Sequence, residues 1–292
     1  LELAEQQGPS RNLYAVRFVY YTFIHHWLEP AQDGLILLDE NIQPALESGN
    51  LLFSFNSQDI NLQNSFLVGQ KLDLLRSKYE DALRLREIQT RMNFRLRLWS
   101  EVILGLMAEP VRNQELNTSL LKEAENRAIL QAGQNQVSIF NLYAAKAFIS
   151  LLFRNSQEAL EKAVSAEEAR IRDNTQLILP HHTFIYSLAL LSSGVDAGQQ
   201  AEHFQKVEEN LRLMSLWARL VPHNFLHQLE LVEAEYARCL RRDEQAAKSY
   251  EQAIQNARRN GYIHESGLAA ELAGEIYFES EGGGGGKEGG IR

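Results

Sequence analysis

The chain has 292 residues, 45% of them hydrophobic and 23% charged, close to the averages of folded globular proteins and far from those of disordered chains. Its formal charge of -9 opposes non-specific attraction to polyanions, so nucleic acid and anionic membrane surfaces are poor partners. Cys239 is the sole cysteine, which excludes an internal disulfide and fits a reducing, cytoplasmic setting.

No run of about 18 apolar residues is present to cross a membrane; the longest candidate, Phe184–Leu191, is short and contains Ser187. The chain opens on Leu1 without the basic and apolar regions of a signal peptide, and is expected to be a fragment of a longer protein. Only 6 prolines occur, and the abundance of Leu, Ala, Glu, Gln and Arg leans helical.

In Arg11–Leu28, apolar Leu13, Val16, Val19, Tyr20, Phe23, Ile24 and Trp27 recur every three or four positions, one buried helical face. Pro30 punctuates it. A second periodic run starts at Ala31 and stops at Gly49-Asn50, completing a hairpin. Helices follow at Leu51–Val68, Leu72–Arg86 and Ile88–Met107, and Pro110 closes this first block, residues 1–110. After the capping candidate Asn117-Thr118, helices are predicted at Ser119–Ala132, Gln136–Phe153, Gln157–Arg172 and Pro180–Leu191. Four more cover Ala201–Leu220, His223–Arg241, Glu244–Asn260 and Glu265–Phe278, so the second block, residues 111–280, continues the first. Residues 281–292, EGGGGGKEGGIR, form a flexible tail unable to bury a core.

Two stretches align without gaps. Ala147, Ala159, Ala163 and Ala166 are spaced 12, 4 and 3 apart, and Ala234, Ala246, Tyr250 and Ala253 repeat that spacing 87 residues later. Arg154-Asn155-Ser156 and Arg241-Arg242-Asp243 fall where the two hairpins turn. Small residues let paired helices approach closely, as in tetratricopeptide repeats, although the tryptophan, glycine and proline of the strict consensus are missing. The predicted fold is all-α, an α-solenoid of stacked antiparallel hairpins forming a tetratricopeptide-like superhelix.

Five blocks carry a more specific resemblance: His26-Trp27-Leu28-Glu29-Pro30; Ala45 to Asn50; Trp217 through the Pro222-His223-Asn224-Phe225 stretch; Leu231-Val232-Glu233-Ala234-Glu235; and a last block made of Tyr250 to Ile254, Asn260-Gly261-Tyr262-Ile263-His264-Glu265 and Leu268 to Ala273. From Ala15 to Phe278 the chain resembles the helical segment of large bacterial signalling proteins. Those join a serine/threonine kinase, an AAA/NACHT-type predicted ATPase, this segment, a GAF domain and a sensor histidine kinase. After Phe278 the family pattern would continue through further helices, whereas this chain turns glycine-rich. The family's catalytic residues lie in the neighbouring domains, so the resemblance implies a non-catalytic segment that contacts a protein or its own neighbouring domains.

Several residues are candidates for chemistry. No G-x-x-x-x-G-K-[ST] string occurs, and Gly282–Gly286 before Lys287 lacks that pattern. His223 and His227 have a zinc-like spacing, but Asn224 replaces the glutamate of a zincin and no third ligand is evident. The adjacent pairs His25-His26 and His181-His182 point to different helical faces. A metal- or histidine-dependent helical enzyme using His181, His182, His223 and His227 is the rival expectation; a third is the ligand-sensing helical segment of a transcriptional regulator. His264 superficially suggests a phosphorelay histidine, but the resemblance places it at a hairpin turn. Flanking arginines could activate Cys239, though a lone cysteine usually packs. Arg84, Arg91 and Arg95 share a stripe near Arg86 and Arg97, interrupted by Asp81, Glu87 and Glu101, while Phe94 and Trp99 are expected to face the core. No catalytic, cofactor-binding or metal residue is assigned, no cofactor is expected, and the binding residues and oligomeric state stay open.

Overall fold

The computed structural model describes residues 1–6, 11–86, 94–108, 136–171, 174–194 and 197–282. Among them every regular element is helical. Thirteen α-helices appear: α1 Glu2–Gln6, α2 Arg11–Phe23, α3 Ala31–Glu47, α4 Leu51–Leu67, α5 Leu72–Arg86, α6 Phe94–Met107, α7 Gln136–Leu152, α8 Ser156–Glu168, α9 Ile178–Ser192, α10 Ala197–Leu220, α11 Pro222–Cys239, α12 Asp243–Arg259 and α13 Ile263–Gly282. The helix expected at Ser119–Ala132, its cap at Asn117-Thr118, Pro110 with the block boundary, Arg91, and tail residues 283–292 lie outside the described residues.

The first helix is shorter than its periodicity predicts. α2 stops at Phe23, and a 3-10 turn at His25–Trp27 takes over. His25 Nε2 lies 3.2 Å from Pro30 O, and a β-carbon at Gly34 would sit 2.7 Å from the His25 ring, so this turn is packed directly onto α3.

Consecutive helices pack on one another, and alternate helices also touch, α2 on α4, α4 on α6, α7 on α9 and α9 on α11. Two helices are buried nearly all round. α9 is apolar, with Phe184, Ile185, Leu188 and Ala189 enclosed, so the longest apolar stretch is the centre of the core. No helix among the described residues is long and apolar enough to cross a membrane.

α4 is buried although its sequence is polar: Ser54, Ser57, Asp59, Asn61, Gln63 and Ser65 are all enclosed. Burial of such groups is tolerable only with partners, and several come from neighbouring helices. Asn61 Nδ2 donates to Leu35 O (2.6 Å), Ser54 Oγ to Ile42 O (2.9 Å), and Lys78 Nζ to Asn61 Oδ1 (2.7 Å).

The 87-residue repeat holds down to the backbone. All eight residues of the two spaced sets are at most 1% exposed, so α7 packs on α8, and α11 on α12, through alanines that permit close approach. Each first helix ends with an arginine in the left-handed region, Arg154 at φ 62 and Arg241 at φ 59. The next amide in each case turns back to an earlier carbonyl, Asn155 N to Ser150 O (2.8 Å) and Arg242 N to Ala237 O (3.0 Å). Glycine is the usual residue at this helix-closing position, and a side chain there costs about 1 kcal/mol. Arg241 is solvent-exposed. Replacing it by glycine, Arg241→Gly, is expected to stabilise the protein by about 0.5–1 kcal/mol in chemical denaturation; a loss of stability would contradict the assigned turn.

Candidate functional site

Five of the interhelical turns converge on one buried polar hub, and Asn224, in the first turn of α11, is its centre. The Asn224 amide nitrogen donates to His26 O (2.9 Å) and Glu29 O (2.8 Å) in the α2–α3 turn. Its carbonyl oxygen accepts from Ala31 N (2.9 Å), the otherwise orphaned amide that opens α3, and from the Tyr262 hydroxyl (3.2 Å) just before α13. An asparagine side chain offers two donor hydrogens and two lone pairs. All four are used.

Other contacts tighten the same junction. Thr175 O, ahead of α9, accepts from His26 Nε2 and Trp27 Nε1, both at 2.9 Å. Because a carbonyl only accepts, His26 carries its proton on Nε2. Gln32 Nε2 reaches Asn260 O (3.1 Å) at the end of α12. At the α4–α5 turn Gly69 has φ +77, and a β-carbon there would collide with the His264 ring, so only glycine satisfies both the backbone and the space. Trp27 packs against Trp217 (5.7 Å) and Phe225 (5.3 Å), an apolar flank to the polar centre.

Beside Asn224 lies a buried acid–histidine cluster. Glu265 Oε2 is 2.5 Å from His227 Nε2, Gln228 Nε2 donates to Glu265 Oε1 at 2.9 Å, and His264 Nε2 is 3.9 Å from Oε1. Burial alone would raise the Glu265 carboxyl, but His227, then His264 and His181, outweigh it and hold the group at about 2. Burial drives His181 down to about 4 despite the nearby Glu265 charge, and drives His26 down to about 4 despite its bond to Thr175.

The structure therefore joins two of the four histidines of the rival expectation, His181 and His227, and adds His264 and Glu265. His182 turns to another cluster, 3.4 Å from Glu167, which Lys206 approaches at 3.8 Å. His223 is only partly buried. The cavity beside His181, Asn224, Gln228 and Tyr262 measures about 10 Å³, enough for one water and no substrate. Among the described residues, no group of three or more His, Cys, Asp or Glu side chains is placed to hold a metal ion.

Cys239 is half-buried with Sγ 3.6 Å from Leu191 O; burial raises its thiol pKa, and Arg238, which opposes the rise, is engaged with Glu235 at 2.7 Å. Arg95 does not extend an outer basic ridge from Arg84. Its Nε is buried, and burial lowers its pKa against the pull of Asp59.

Asn224, Gly69, Thr175, Gln228 and Glu265 were not picked out as site residues from the sequence. The stretches at residues 26–30, 222–225 and 260–265 are three of those that meet in the hub. Comparison with protein-family models, curated proteins and solved structures yields no match. The site defines a class by geometry alone, a buried fastening between distant helical hairpins.

The buried histidines set the acid response. His26 and His181 sit near 4 in the folded chain against roughly 6.5 when unfolded. Between those values the unfolded state binds more protons, so stability is intact above about pH 6.5 and falls as the pH drops toward 4, by on the order of 3 kcal/mol per histidine. Glu265, held at about 2, adds a further loss below about pH 4.5. Urea unfolding from pH 8 to 4 should show this decline, and His181→Phe should flatten it. Stability independent of pH from 6.5 to 4 would refute the assignment.

Proposed function

We propose that this chain is a non-catalytic, tetratricopeptide-like α-solenoid segment of a multidomain signal-transduction ATPase/kinase, mediating protein–protein or interdomain contacts in the cytoplasm. Catalysis belongs to neighbouring domains, and the segment needs no cofactor. Stacked hairpins present long surfaces for partners, and the hub makes distant hairpins move as a unit, so a contact made on one is felt by the others.

The observation that carries the contact role is an exposed apolar stripe on the second half of α10. Leu213, Leu216 and Leu220 follow at i, i+3 and i+7 and are 41%, 45% and 63% exposed. Leu28, 59% exposed, adjoins the same Trp27–Trp217 pair. Single exposed leucines are ordinary, but several on one helix face mark a surface made to be covered.

The test uses the parent protein. Its reading frame is expected to encode kinase and ATPase motifs beside this segment. The double change Leu216→Ser with Leu220→Ser should alter the parent's kinase or ATPase rate by about fivefold or more while leaving the melting of the segment unchanged. A parent without those domains, or a rate indifferent to the double change, would overturn the proposal.

A further inference from the structure

The two equivalent turns differ in one respect. Arg154, after α7, and Arg241, after α11, both hold the left-handed conformation, which disfavours a side chain and normally selects glycine. At Arg154 the side chain makes contacts that glycine would lose. Its Nη2 lies 2.9 Å from Glu271 Oε1 and 2.6 Å from Glu275 Oε1, two carboxylates one turn apart on α13. One guanidinium thereby seats a helix against the α7–α8 turn and offsets the repulsion between its two acids.

Arg241 keeps the same strained backbone without such a partner, and strain of this kind points to a use for the side chain. Arg241 and Arg242 are exposed. Among the described residues the ion pair of this turn is Arg238 with Glu235, at 2.7 Å, and neither Arg241 nor Arg242 has one. Asp243 and Glu244 lie in the first turn of α12, where they oppose the partial positive charge of the helix start. Leu151, which lines a small gap with Leu268 and Leu272 under the first bridge, is replaced 87 residues on by Arg238. The second seat is therefore polar, and what it offers is unpaired guanidinium donors.

We propose that the α11–α12 turn docks an acidic helix of a partner protein, one that presents two carboxylates four residues apart to Arg241 as α13 presents Glu271 and Glu275 to Arg154. Arg242, beside it, supplies donors for a flanking carboxylate. The contact rests on charge, so it is weak and salt-sensitive. It depends on neither the α10 stripe nor the proposed signalling role.

NMR titration of the whole chain at low salt tests it. The probe is an alanine–glutamine helical peptide of about 20 residues with two central glutamates four positions apart; its twin carries glutamine at both. The glutamate peptide should shift the Arg241 and Arg242 amide and Nε–H signals saturably, the twin should shift neither, and about 0.5 M salt should abolish the effect. Arg241→Gln should weaken binding about fivefold. Arg241→Gly should weaken it as much while raising the melting temperature, which separates lost binding from lost fold. Absence of shifts at Arg241, equal shifts with the twin, or unchanged affinity in Arg241→Gln would overturn the proposal. So would a concentration-dependent dimer of the unaltered chain that Arg241→Gln abolishes, because a second copy would then fill the seat.

Discussion

The side-chain amide of Asn224 is the point on which this architecture depends. Buried polar groups must find partners, and here one side chain satisfies two carbonyls of the α2–α3 turn, the first amide of α3 and the hydroxyl of Tyr262. The partners come from 193 residues before it, at Ala31, and from 38 after it, at Tyr262. Deleting the amide would leave three buried groups, and the partly buried Glu29 carbonyl, without it. Each would cost on the order of 1–3 kcal/mol, a large share of the stability of any domain.

Hairpins alone would give a chain in which each unit feels only its neighbours. The hub adds long-range closure. Gln32 on Asn260, His26 and Trp27 on Thr175, and His264 against Gly69 bring early turns onto late ones. The near-complete enclosure of α9 follows from this arrangement, because α9 touches helices of both halves, α4 as well as α7, α8, α10 and α11. The cluster of His181, His227, His264 and Glu265 shares the same position, so the junction that joins the halves also holds buried groups, His181 and Glu265, that respond to acid.

Local features were legible in the sequence because their causes are local. Periodic leucines and alanines marked the helices, and the spacing shared by Ala147–Ala166 and Ala234–Ala253 located two equivalent hairpins whose turns then matched down to Arg154 and Arg241. The burial of α4 was not legible, since a run such as Ser54 to Ser65 looks like a solvated face until Lys78, Leu35 and Ile42 supply its partners. In the sequence Asn224 stands only in a stretch of family resemblance and in the place of a zincin's glutamate. Its role depends on carbonyls nearly two hundred residues away, and no local spacing encodes such a pairing. The histidines divided for a similar reason: adjacent His181 and His182 leave α9 on different faces, one near Glu265 and the other near Glu167.

Hydrogen exchange on Asn224→Ala tests the central claim most directly. If the hub fastens the distant turns, backbone amides in the first turn of α3 and the first turn of α13 will lose protection together and by similar factors, while the α7–α8 hairpin keeps its own. Loss confined to α11, or protection at Ala31 and Ser266 equal to that of the unaltered protein, would contradict it.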